Sequence, residues 1–117
     1  MARLLGRVRD RSTVDDLDDQ ELRDDSAKAG CGLISACNDR AVVTIHGELR
    51  SVTLRPTDGV PALEAELYDG SEAVTLVWLG RRRIVGVQAG ARLTAHGRIG
   101  RRRSERIIYN PRYELDA

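Results

Sequence analysis

The chain has 117 residues, 41% hydrophobic and 32% charged, with a formal net charge of +1. That is one domain's worth of chain with the apolar content of a folded globular protein, which excludes a disordered or fibrous class. No apolar run is long enough to span a bilayer, and the segment 1–10 offers only Leu4 and Leu5 where a secretory signal needs a longer apolar core, so a cytoplasmic location and no membrane partner are expected.

The first forty residues carry seven basic and nine acidic side chains, and the acids crowd together at Asp15, Asp16, Asp18, Asp19, Glu21, Asp24 and Asp25. Ser12 or Thr13 is placed to cap a helix whose first turn holds Asp15 and Asp16, where negative charge suits the positive end of the helix dipole. Val14, Leu17 and Leu22 give it a thin apolar stripe, and Gly30 is a stop signal. The pattern predicts a helix over 13–28. Its acidic surface is either a shield over basic regions of its own chain or a solvated face. Cys31 and Cys37 are expected to be free, buried thiols beneath it, because two cysteines in a reducing compartment make neither a disulfide framework nor a four-ligand zinc site.

From Ala41 the apolar period becomes two. Val43, Ile45, Gly47 and Leu49 fall on one side of a strand over 41–54, and Thr44, His46, Glu48 and Arg50 on the other. Pro56, Asp58, Gly59 and Pro61 make a loop. A second strand spans 62–68, Asp69-Gly70-Ser71 is a hairpin turn, and a third, almost wholly apolar strand spans 73–79. In the segment 80–88, Ile84 and Val87 stand three apart, which predicts a short helix with one buried edge. A fourth strand follows at 91–100, then a charged turn over 101–105. A last strand at 106–110 is followed by Asn110-Pro111, which stops regular pairing. The segments THGEL-like at 44–49 (TIHGEL) and 94–99 (TAHGRI) echo each other, each with an inward Gly that marks a bend or a close backbone approach. If they pair, Glu48 and Arg98 become neighbours.

Three meandering strands, a short helix and a closing hairpin describe an all-β chain with an N-terminal helix, folded as a five-stranded OB-fold barrel with a short helix between strands 3 and 4. The runner-up is another small barrel of the SH3-like kind. The division expected is an acidic helical N-terminal extension, 1–40, and a barrel, 41–115. The stretches LEAELYDGS (63–71) and VTLVWL (74–79) are similar to strands 2 and 3 of OB-fold nucleic-acid-binding domains, including anticodon-binding domains and the wedge domain of RecG-type branch-migration helicases. The ending IYNPRYEL (108–115) resembles the end of that wedge, with Asn where the wedge has His and Arg where it has Glu. The LVWLGRR core (76–82) and acidic N-terminus resemble a group of small stand-alone actinobacterial OB-fold proteins. The resemblance covers about 41–115, and it implies the fold more strongly than any activity. No phosphate-cradling Gly-x-x-x-x-Gly-Lys segment is present, so no helicase motor is expected.

Over 81–112 ten Arg face a single acid, Glu105. They form two clusters, Arg81, Arg82 and Arg83 after the third strand, and Arg101, Arg102, Arg103 and Arg106 at the turn between the fourth and fifth. Arg98 lies on the fourth strand and Arg112 on the tail. Guanidinium forks match phosphate oxygens, so these clusters are expected to converge on one groove and bind nucleic acid, DNA rather than RNA, single-stranded or branched and largely without sequence preference. A solvated loop is the plainer reading of each. The chain has four aromatics for base stacking, Tyr68, Trp78, Tyr109 and Tyr113. That number is small, and Glu64 and Glu66 face the same platform, which motivates the alternative of a protein-interaction adaptor in a DNA-repair or RNA-processing complex. His46 and His96 face one side but lack a clear third ligand, so two surface histidines are preferred to a metal pair. No nucleophile–base arrangement stands out. A non-enzymatic protein with no cofactor is expected.

Overall fold

The computed structural model describes residues 2–56 and 58–117, with side chains for 14–56 and 58–117. Helix α1 runs Ala2–Lys28, a 3₁₀ turn follows at Ile34–Ala36, and six strands complete the chain: β1 (Val42–Leu54), β2 (Ala62–Tyr68), β3 (Ala73–Leu79), β4 (Arg92–Arg102), β5 (Glu105–Tyr109) and β6 (Arg112–Leu115). The first five close into a ring. The order is β1-β2-β3-β5-β4, and β4 returns to pair with β1. The β3–β5 contact is parallel and the others are antiparallel.

The long first strand closes the ring. Val42 to Glu48 pair with β4, and Glu48 to Leu54 pair with β2. The change of partner falls at a register shift between Leu49 and Ser51, where the extra residue Arg50 bends the strand. Gly47 sits just before it. A Cβ there would lie 2.5 Å from the Tyr68 carbonyl oxygen, so the strand turns where only glycine lets two backbones approach this closely. The alternation read from sequence holds inside the ring, where Ile45, Leu49, Leu67, Leu76, Leu93 and Ile108 are buried.

Three sequence expectations are corrected. The helix begins at Ala2 and not at residue 13, so Ser12 and Thr13 lie in its interior. Arg, Leu and Ala upstream favour helix, and no proline interrupts them. No helix joins β3 to β4. Gly80, Gly86 and Gly90 all take positive φ and break the segment into isolated turns, one of them closed by the Val87 N–H donating to the Ile84 carbonyl at 3.0 Å. Ile84 and Val87 are buried in the core as their spacing suggested, but from a loop. Pairing also does not stop at Pro111. Asn110 turns the chain at φ 51°, and β6 then pairs with β4. The turn is held on three sides: the Asn110 N–H donates to the Val77 carbonyl at 2.6 Å, Asn110 Oδ1 accepts from the Leu79 N–H at 2.9 Å, and the Pro111 carbonyl accepts from Trp78 Nε1 at 3.1 Å.

The N-terminal segment is attached to one end of the ring. Leu22 of α1 is buried, Asp25 pairs with Arg92, and the Arg23 guanidinium donates to the Gly70 carbonyl at 2.8 Å. Ile34 enters the core. Its N–H donates at 2.8 Å to Asp69, a buried carboxylate that also accepts from the Ser71 N–H, the Ser71 hydroxyl and the Glu72 N–H. No helix among the described residues is long and apolar enough to cross a membrane.

Candidate nucleic-acid interface

The two arginine clusters do not share a groove. Ile107 of β5 stands beside Thr75 of β3, which sets Arg106 level with Val74, near the start of β3. Arg81, Arg82 and Arg83 follow Leu79, at its other end. Five residues of strand separate the two levels, about 17 Å at ~3.3 Å per residue. The expectation of convergence is therefore corrected. The register that imposes the separation is the parallel β3–β5 pairing, which only the folded chain reveals.

The clusters also differ in their partners. In the β4–β5 hairpin, Arg101 pairs with Asp39 at 3.0 Å, Arg106 pairs with Glu72, and Arg102 grips Glu64 through two hydrogen bonds of 3.0 and 3.1 Å. Arg102 also lies 3.6 Å from Glu105. Glu64 is 8% exposed, and its hydrogen bond from Arg102 holds its carboxyl below the usual carboxylate range, against the upward push of burial. The same contact raises the guanidinium of Arg102. Only Arg103, at the hairpin tip with φ 60°, has no acidic partner among the described residues.

This hairpin overhangs the outer face of β1, β2 and β3. The groove beneath it is lined by Ser51, Thr53, Arg55, Glu64, Glu66 and Thr75 together with Arg102 and Glu105. Its three acids, Glu64, Glu66 and Glu105, outnumber its two bases, Arg55 and Arg102. A phosphate that took Arg102 from Glu64 would leave a nearly buried carboxylate without its partner, which is unfavourable. Arg55, which the sequence reading passes over, forms one wall. Its place directly before the Pro56 loop was the available signal.

The first cluster is in a different condition. Arg81, Arg82 and Arg83 are exposed, and Arg112 is exposed, with no acidic partner for any of them among the described residues. The segment that carries them leaves β3 beside Asn110 and reaches Gly86 beside Leu115, where a Cβ on the glycine would collide with the leucine side chain. It thus follows β6 from one end to the other, and Arg112 begins β6. His96 pairs with Arg112 across β4 and β6, so Arg98, two residues on, shares that outer face. Arg98 donates to the Arg40 carbonyl and has no acidic partner among the described residues. Glu48 stands opposite Arg92 and not Arg98, which corrects the pairing expected from the TIHGEL and TAHGRI echo, although the two segments do pair.

The aromatics are mostly occupied. Trp78 is 5% exposed, donates to Pro111 and meets Tyr113 edge-on at 5.6 Å between centroids, so it is core and not a stacking platform. Tyr68 is half-buried under the Arg50 guanidinium, 4.9 Å from its ring centroid. Burial and the neighbouring Asp19 carboxylate push its hydroxyl pKa up. Tyr109, at 52%, and Tyr113, at 39%, remain exposed. Tyr113 lies within β6, whereas Tyr109 ends β5 opposite Val77 and stands within electrostatic reach of Arg102.

The two histidines are engaged in structure. His46 is buried, with Nε2 2.8 Å from Asp116, and His96 shares a 2.6 Å hydrogen bond with Thr44, so the two histidines serve different partners. Burial raises the Cys31 and Cys37 thiols, which are free and half-buried. No group of three or more His, Cys, Asp or Glu able to hold a metal occurs among the described residues. The acidic face of α1 stands over Arg50 and Arg92 and away from the free arginines. Comparison with protein-family models and with curated proteins finds no match for the chain.

Proposed function

We propose that this protein is an OB-type barrel that binds nucleic acid without catalysing a reaction, and that it does so through Arg81, Arg82, Arg83, Arg98 and Arg112 rather than through the β4–β5 hairpin. The strand order 1-2-3-5-4-1 with a parallel β3–β5 contact supports the barrel type, and it agrees with the likeness of 63–79 to OB strands. The observation that carries the function is the contrast between the clusters: one is neutralised by its own chain, and the other is exposed along β6 with no acidic partner among the described residues. Guanidinium groups left unpaired in this way are free to exchange counterions for phosphates.

The test is oligonucleotide binding by fluorescence anisotropy across a salt series. Four phosphate contacts give a slope of log affinity on log salt of about −3.6 on duplex and about −2.8 on a single strand. No binding at 50 mM salt to single-stranded, duplex or forked oligonucleotides would remove the reading. The second reading is an adaptor that docks on a larger machine. It is favoured by the acidic excess of the hairpin groove, and it predicts a partner that survives nuclease treatment.

A further inference from the structure

We propose that the ligand of the β6 surface is the sugar–phosphate backbone of a double helix and not an unstacked single strand. This rests on the function proposed above and names its substrate class. A single strand is held by two devices, a concave sheet face that receives it and exposed rings on which its bases stack. Both are poorly supplied here. The sheet face under the hairpin is crossed by the Arg102–Glu64 fork and lined by Glu66 and Glu105. A strand seated there would also strip the nearly buried Glu64 carboxylate of its partner.

The rings are spent in the same way. Trp78 is sealed by Pro111 and Tyr113, and the Tyr68 ring lies beneath Arg50. Only Tyr109 and Tyr113 are left, and the Tyr113 ring is already engaged edge-on with Trp78. Free guanidiniums, by contrast, are present in number and on an outer surface. A duplex asks for nothing else, since its phosphates face outward and its bases stay stacked on one another. The contacts are spread over a rigid strand and a loop fastened at both ends, at Asn110 and at Leu115, so they present a fixed array to a fixed array.

The experiment compares the full chain's affinity for a 20-nucleotide single strand of mixed sequence, the corresponding DNA duplex and the corresponding RNA duplex, at 100 mM salt. The expected result is a duplex, of DNA or RNA, bound at least tenfold more tightly than the single strand. R81A/R82A/R83A is expected to abolish that preference, and Glu64→Gln to leave duplex affinity within twofold. Equal or tighter binding of the single strand overturns this inference while leaving nucleic-acid binding intact. A rise in duplex affinity of more than twofold in Glu64→Gln, with its urea unfolding still cooperative, also overturns it, because freeing Arg102 would then have opened the groove as the site. Absence of binding to all three overturns the functional reading itself.

Discussion

Replacing Glu64 by Gln tests the account of the hairpin groove at its central contact. The carboxylate accepts two hydrogen bonds from Arg102, at 3.0 and 3.1 Å, and is itself almost buried. Hydrogen bonds to charged groups are worth about 1.5–3 kcal/mol each when both partners are dry. The Arg102 side chain is 36% exposed and has Glu105 within 3.6 Å as a substitute, so water and the second acid reduce the loss. A net cost of about 1–2 kcal/mol at pH 7 follows. The dependence on pH separates the charge from the shape. Arg102 holds the folded pKa of Glu64 below its unfolded value, so the pair's stabilisation is complete above the ordinary carboxylate range, near pH 4.3, and disappears as pH falls through the lower folded value. Gln does not titrate. Urea unfolding of both proteins from pH 7 to pH 3 should show a gap that is widest at neutral pH and narrows below pH 4. A gap of the same size at both ends of that range, or none at pH 7, would refute the reasoning.

Asp69→Ala leaves the buried Ile34 N–H and the Ser71 and Glu72 donors without their acceptor, and it should cost about 3 kcal/mol in urea unfolding, with Asp69→Asn recovering part of the loss. Gly70→Ala forces a Cβ against the Asp19 carbonyl at a position with φ 90°, so it should lift α1 from the ring, read as faster amide exchange over 14–28 with the strands still protected. R81A/R82A/R83A should lower duplex affinity by about 10²–10³ at 0.1 M salt, from a factor of about 8 per lost phosphate contact, and should flatten the salt slope by about 2.7. Replacing Asp15, Asp16 and Asp18 by Asn should leave affinity within twofold at 0.15 M salt. Their face of α1 covers Arg50 rather than the free arginines, and screening has a range of about 8 Å. A larger rise would restore the acidic helix as a shield.

The five strands between Val42 and Tyr109 were legible to within a residue or two at their ends because alternation is a local property, although β4 runs on to Arg102 and His46, expected at the surface, is buried. A side chain's face is set by its neighbours two positions away, and the turns between strands are written in Gly, Pro, Asn and Asp. Gly47 likewise announced a close backbone approach before any partner was known. What the sequence could not carry were the pairings across distance. Glu64 and Arg102 are 38 residues apart, and Asp25 and Arg92 are 67 apart. Those contacts decide which arginines are neutralised, and in a linear count of charge both clusters look equally free. Tertiary structure also decided that β6 continues past a proline, through bonds from Trp78 and Leu79 that stabilise the turn. It decided too that Ile84 and Val87 reach the core from a loop, where three glycines outweigh a helical spacing. Residue chemistry and period fix each element by itself. The register between elements fixes which charges meet, and the function proposed here depends on that meeting.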